Sequence, residues 1–341
     1  MPQTPYEQDK SSERVESETD LIQTYLAPLA CKMPGAFGLR DDAALLSPEP
    51  GTDIVLTTDP IIAGVHFLPS DHPGDIAWKA LAVNVSDLAA KGAEPLAYLL
   101  TLALPQAPKR AWMAAFAQGL AAAQKEFGCH LIGGDTDRTP GPLSIGVTAI
   151  GTLPAGAFVP RQGAAAGDHV FVTGTLGDAA VGLALHRDPE LFANALTEDD
   201  RKFLIDRYLR PKPRIALCQM LRAYASAALD ISDGLLKDLV RLAGPLGITL
   251  QFEALPLSPP LRTALAGDAR IADAVLAGGD DYELLIAVPP NGAEAFAQQA
   301  AHLGVFVSDL GVLQDGLPIT VLGHAGTPIE AHRLGYDHFA R

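Results

Sequence analysis

The chain has 341 residues, 48% of them hydrophobic, and 25 Lys and Arg against 40 Asp and Glu give a net charge of −15. That length suits two domains of ~150 residues each, and the acid excess argues against nucleic acid or an anionic membrane as the main partner, because both want clustered cations. Cys31, Cys129 and Cys218 are few and widely spaced, which fits reduced thiols in the cytoplasm better than a disulfide framework.

Residues 1–19 are polar and charged, without the apolar segment of a secretory leader, and are expected to form a disordered tail. An N-terminal domain is expected over residues 20–155. Within it, Asp41-Asp42 sits in a turn, and Asp53–Thr58 is an apolar, β-branched strand ending in Thr57-Thr58-Asp59. Ile76–Ala90 has helical spacing: Leu81, Val85 and Leu88 share one stripe, and Asn84, Asp87 and Lys91 share another. Gly92 and Pro95 stop that helix. Tyr98–Leu104 and Leu143–Leu153 read as core strands; the first is too short to span a membrane, which takes ~20 residues. Between them lie an Ala-rich helix, Trp112–Phe127, and a short strand, His130–Ile132, running into a Gly133-Gly134-Asp135 turn.

The aperiodic stretch from Pro154 to Gly167 marks a domain boundary, with a C-terminal domain over residues 156–341. Strand His169–Thr173 meets Gly174-Thr175-Leu176-Gly177-Asp178, which fits either a structural strand-to-helix turn or a phosphate cradle. Asp230-Ile231-Ser232-Asp233-Gly234 opens a helix with Ser232 as N-cap, and the N–H groups there also suit an anion. A Gly278-Gly279-Asp280-Asp281 turn precedes a buried strand, Leu284–Val288. This alternation of strand and helix makes the class α/β or α+β.

Aspartate recurs at these stations with little base nearby. Gathered carboxylates resist ionisation, so a cleft that collects them needs a cation. Magnesium takes oxygen ligands and shares them with substrate phosphates. Thr57, Thr58 and Asp59 are hard oxygen donors, Asp87 lies inside an apolar helix, and Gly133-Gly134 permits close backbone approach to a phosphate beside Asp135. No P-loop or protein-kinase motif is present. The stations together point to a magnesium–nucleotide site built from many loops.

In this order they resemble the thiamine-monophosphate kinase family. The matching segments are Gly38–Leu46, Thr57-Thr58-Asp59 with Gly64-Val65-His66-Phe67, and Ala80–Gly92. They continue through Leu131–Thr136, Arg161-Gln162-Gly163, Asp168 to Gly177, Leu229–Leu235, Gly278–Leu285 and Gly335–Phe339, covering the chain from about residue 20 onward. The resemblance implies transfer of the γ-phosphoryl of ATP to thiamine monophosphate, in line, with several Mg²⁺ ions and no phospho-enzyme. It also implies a two-domain aminoimidazole-ribonucleotide synthetase-like fold and a homodimer whose N-terminal sheets pair into a barrel, with ATP near the N-terminal acids.

By match to the family's motifs, Asp42, Thr57, Thr58, Asp59, Asp87 and Asp135 would hold metals, and Asp230 and Asp233 would add ligands. Gly134, Asp135, Arg161 and Ser232 would contact ATP, while His66, Asp280 and Tyr336 would line the thiamine phosphate pocket. Tyr336 suits stacking on a cationic thiazolium, and either Asp280 or Asp281 suits the same charge. Arg40 stands where the family usually has Gly, and Pro60 where it has Thr or Ser, so these two turns are where the chain departs from the pattern. The rival readings are another ATP-dependent synthetase of the same superfamily and a non-catalytic metal- and nucleotide-binding protein.

Overall fold

The structure, a computed structural model, describes residues 14–192, 195–268, 270–337 and 339. It forms two compact units. One holds the chain up to Pro48 with Leu56–Asn84 and Leu96–Ile150; the other holds Glu49–Val55, Val85–Pro95 and Gly151 onward. Each unit thus draws on separated stretches of the chain.

The expected tail falls largely on residues 1–13, outside the described residues. Residues 14–19 are held in place. Arg14 bridges to Lys109, Val15 donates its amide to Pro108 and is buried, and Ser17 caps helix α1 (Glu18–Leu21). Apolar Val15 anchors a stretch whose polar composition alone suggests a tail.

The sheet of the first unit has the strand order β1-β4-β2-β3, with β1 (Thr52–Ile62), β2 (Glu94–Leu104), β3 (His130–Arg138) and β4 (Ser144–Pro154). Helix α2 (Pro73–Ala90) follows β1, and α3 (Arg110–Phe127) links the parallel pair β2 and β3. The fully buried Met113, Phe116 and Leu120 recur at helical spacing along α3.

Two sequence expectations change here. Thr57-Thr58-Asp59 lies within β1 rather than at its end, and β1 runs on through Pro60. Proline is tolerated because β1 is an edge strand, where an N–H can be missing from the ladder. Gly133-Gly134-Asp135 is likewise strand and not turn, with Leu99, Leu100 and Thr101 of β2 as register partners. Gly134 has φ +152°, and a Cβ there would stand 1.8 Å from the Leu100 carbonyl oxygen. The glycine therefore serves a close approach between strands. Gly134→Ala is expected to lower the unfolding free energy by about 2–4 kcal/mol in urea titration; an unchanged midpoint contradicts this.

In the second unit a wholly antiparallel sheet has the order β6-β8-β5-β9, made of β5 (His169–Thr173), β6 (Ala227–Asp230), β8 (Leu284–Val288) and β9 (Val307–Val312). A small parallel pair joins β7 (Thr249–Gln251) to β10 (Thr320–Leu322). The helices are α4 (Asp178–Arg187), α5 (Glu198–Leu209), α6 (Cys218–Tyr224), α7 (Leu235–Ala243), α8 (Pro259–Gly267), α9 (Ile271–Ala277) and α10 (Ala293–His302). Val170, Val172, Leu229, Leu285 and Ala287 point to one core with α4, α5 and α7, while Phe171, Ala228 and Ile286 point to another with α6 and α10. That two-sided burial is why β8 reads as an unbroken apolar run. Among the described residues, no helix is long and apolar enough to cross a membrane.

Candidate active site

In the first unit, Asn84 organises the acid at Asp59. Its side chain is fully buried, accepts the Asp59 amide at 2.8 Å and donates to the Asp59 carbonyl at 3.2 Å. This clamp fixes the backbone from which Asp59 projects. Thr58 Oγ1 donates to the Val147 carbonyl at 3.1 Å and accepts from Thr148 Oγ1 at 3.0 Å. Asp135 and Asp137 stand two apart on β3, on one face. They line a cleft of about 250 Å³ with Pro60, Thr101, Ala103, Ser144 and Gly146. Asp137 was not singled out from sequence, although the period of two carries it beside Asp135.

Asp42 lies in an exposed bend where its amide donates to Asp41 at 2.8 Å. Nearby, Arg40 Nε is 3.5 Å from Gln23 Oε1, so Arg40 is directed at a polar neighbour. His66 accepts the Ile62 amide on Nδ1 at 3.0 Å. That bond places the proton of a neutral ring on Nε2.

In the second unit, Asp87 and Asp230 act on one another. Asp230 is 8% exposed, and burial raises its carboxyl well above the ordinary range, with the Asp87 charge adding to the effect. Lys91, one turn after Asp87, donates to the Ala228 carbonyl at 2.6 Å. Burial pulls Lys91 down to about 8 against the pull of Asp230 and Asp87, and Arg161 adds a small push in the same direction as burial. Asp87, Lys91, Arg161 and Asp230 thus form one charged group.

Asp230 ends β6, and the turn after it is built differently from the expectation. Helix α7 begins after Gly234 without a side-chain N-cap from Ser232. Buried Asp238, reaching back from the helix, accepts the amides of Ser232, Asp233 and Gly234 at 3.1, 3.0 and 3.2 Å and pairs with Arg241 at 2.6 Å. The turn's N–H groups already hold an anion, and it is the protein's own. Asp233 is bridged by Lys237 at 2.9 Å and Arg241 at 2.8 Å. Protein cations therefore neutralise Asp233, which leaves it less in need of a metal than Asp230.

Three segments are knitted around this turn. Asp280 donates its amide to Ser232 at 3.0 Å, Tyr282 to Ile231 at 2.9 Å, and Tyr336 to Asp233 at 2.8 Å. Lys237 Nζ donates to the Tyr336 carbonyl. So the residues expected at nucleotide (Ser232), metal (Asp233) and acceptor (Asp280, Tyr336) converge in the second unit. Asp281 does not join them: it is 2% exposed, and its carboxylate accepts the Gly177 amide at 2.8 Å. That bond also decides for the structural reading of the Gly174–Asp178 turn, since the amide a phosphate would want is occupied.

The donor set suits magnesium shared with a substrate. It consists of carboxylates and hydroxyls, all hard oxygens. Among the described residues, no three His, Cys, Asp or Glu side chains cluster closely enough to hold an ion by themselves. Mg²⁺ is ordinarily held by one or two carboxylates plus phosphate oxygens and water, so these acids could hold it only together with a phosphate-bearing substrate.

The N-terminal domain of AIR synthase related proteins matches residues 40–153, and the C-terminal domain of these proteins matches residues 165–322. The fold and these two matches define a two-domain protein of the AIR synthase-like α/β class. The thiamine-monophosphate kinase of Caulobacter vibrioides is 39% identical over 327 residues, covering 94% of this chain and 91% of that one. The crystal structure of thiamine-monophosphate kinase from Stenotrophomonas maltophilia K279a superposes with a TM-score of 0.76 at 41% identity, over 85% of this chain and 91% of that one. AaThiL complexed with AMPPCP and TMP superposes with a TM-score of 0.73 at 33% identity, over 94% and 97%. The chain belongs to the thiamine-monophosphate kinase family.

Proposed function

We infer that this chain phosphorylates thiamine monophosphate with ATP, giving thiamine diphosphate and ADP. The observation that carries this is the match to AaThiL complexed with AMPPCP and TMP, which spans 94% of the chain. Phosphoryl transfer asks for positioning and charge neutralisation rather than covalent help from the protein. An acid-rich, dispersed site supplies the first and, with cations bound, the second.

In this reading Asp42, Thr57, Thr58, Asp59, Asp87, Asp135, Asp230 and Asp233 hold several Mg²⁺ ions. Bound there, the ions neutralise charge on the transferring phosphoryl group and on ATP. The chain's own residues bind and orient the substrates. Gly134 contacts ATP through its backbone beside Asp135, and Arg161 pairs with phosphate. Ser232 meets ATP through its hydroxyl, since its amide is committed to Asp238. His66 donates Nε2–H to the acceptor phosphate, and Asp280 and Tyr336 receive the cationic thiazolium.

The division into an N-terminal nucleotide-binding and dimerisation domain and a C-terminal α/β domain belongs to the same proposal, as does a cytoplasmic homodimer. Supporting the dimer, Ile54 and Leu56 lie on one face of edge strand β1 and are 43% and 65% exposed. A second copy of the sheet would cover them, closing a barrel.

Purified protein incubated with ATP, Mg²⁺ and thiamine monophosphate is expected to form thiamine diphosphate and ADP one to one, and to stop when Mg²⁺ is chelated. ATP binding without thiamine diphosphate would discard the acceptor and favour another synthetase reaction of the superfamily.

A further inference from the structure

The turn carrying Asp280 is held in an unfavourable shape. Asp280 and Tyr282 both have left-handed backbone, at φ 71° and 49°. Neither is glycine, and such conformations persist where the surroundings over-determine them. Here they flank buried Asp281, tied to Gly177, and they precede Glu283.

Glu283 is fully buried. It receives Arg207 Nη2 at 2.7 Å, Arg214 Nε at 2.6 Å, Arg214 Nη2 at 2.5 Å and Thr173 Oγ1 at 2.5 Å. Its carbonyl accepts the Ile231 amide at 2.8 Å. One residue is therefore gripped by three side chains and also bonded to the loop that bears Asp230, Ser232 and Asp233. The packing leaves no slack, because a Cβ on Gly174 would meet Glu283 Oε1 at 2.1 Å. Nothing in the phosphoryl-transfer chemistry above uses these arginines. They are also remote in sequence from Glu283, by 76 and 69 residues. Beyond the grip, Tyr282 Oη donates to Asp280 Oδ1 at 3.3 Å. The shape imposed on residues 280–282 thus sets where the Asp280 carboxylate stands.

We propose that Glu283, gripped by Arg207 and Arg214, is a positioning residue that fixes Asp280 against the thiazolium of the acceptor, and that Asp281 serves this turn and not the substrate. The proposal rests on the thiamine monophosphate reading. Charge-assisted forks of this kind give orientation as well as strength, and misplacing a binding group by about an ångström is enough to cost ~10²-fold in rate. The arginines hold the Glu283 side chain, while the Ile231 loop is tied to its backbone carbonyl, so losing the grip falls on the acceptor turn and leaves ATP largely alone.

Glu283→Gln keeps the shape and removes the charge that both arginines hold. The expected result is a KM for thiamine monophosphate raised about 10-fold or more, with the KM for ATP within about 2-fold. Amide exchange at residues 280–282, followed by mass spectrometry without substrates, is expected to speed up about 10-fold or more while the β8 amides keep their protection. Equal changes in both KM values, or a lower melting temperature with both KM values and exchange at 280–282 unchanged, would overturn the proposal. Should Glu283→Gln fail to fold, Arg214→Lys, which keeps the charge and loses the fork, is measured the same way and is expected to shift the same two readouts. A wild-type protein that makes no thiamine diphosphate defeats the functional reading instead, and the exchange measurement still tests the grip.

Discussion

Asp135→Ala is expected to lower kcat with ATP and thiamine monophosphate by about 10³-fold or more while leaving the melting temperature nearly unchanged. Losing one preorganised electrostatic group around a developing charge typically costs ~10²–10³-fold, and loss of a metal ligand removes more than one such group. The fold should tolerate the change because Asp135 is exposed in the cleft, where its carboxylate accepts the Thr136 amide at 2.9 Å. Asp59 answers to the same logic through its Asn84 clamp. Steady-state rates with a parallel thermal scan check this; wild-type-like turnover would remove Asp135 from the machinery.

Asp230→Asn separates activity from stability in the opposite sense. Its folded-state carboxyl is raised, chiefly by burial and then by Asp87. A raised group contributes stability that is full below its unfolded value and is lost as pH climbs through the folded one. At neutral pH, without metal, the ionisation of Asp230 therefore works against the fold. Asparagine removes that charge, and the metal-free variant is expected to melt at least ~2 °C higher, given roughly 2–4 °C per kcal/mol in proteins of this size. Turnover should meanwhile fall ~10²-fold or more. A variant that melts lower at neutral pH, or one that turns over normally, would contradict the assignment.

Local pattern made much of this molecule legible. The strand Leu284–Val288 has the bounds its apolar run suggests, and the helix after Lys109 ends at Phe127 where Gly128 follows. Periodicity also placed Asn84, Asp87 and Lys91 on one stripe, where Asn84 clamps Asp59 and Lys91 is a half-buried cation beside Asp87. What misled was chemistry with two meanings. A glycine pair reads as a turn when nothing tells the reader that a neighbouring carbonyl passes against it, as Leu100 does at Gly134. Ser232 before a helix reads as a cap, yet the anion that accepts the turn's amides is Asp238, from within the helix itself. The Glu283 grip was invisible because its partners are brought in by α5 and the segment after it, and no local spacing encodes that contact. Motif resemblance supplied the roles proposed for His66, Asp280 and Tyr336, which no single-sequence pattern distinguishes from ordinary polar residues.

Phosphorus NMR on wild-type protein with ATP, Mg²⁺ and thiamine monophosphate in one tube tests the central claim most directly. The account predicts that the γ-phosphorus signal of ATP disappears in step with the growth of the paired diphosphate signals of thiamine diphosphate, with little inorganic phosphate. Release of inorganic phosphate without the diphosphate pair, or an unchanged ATP spectrum, would contradict it.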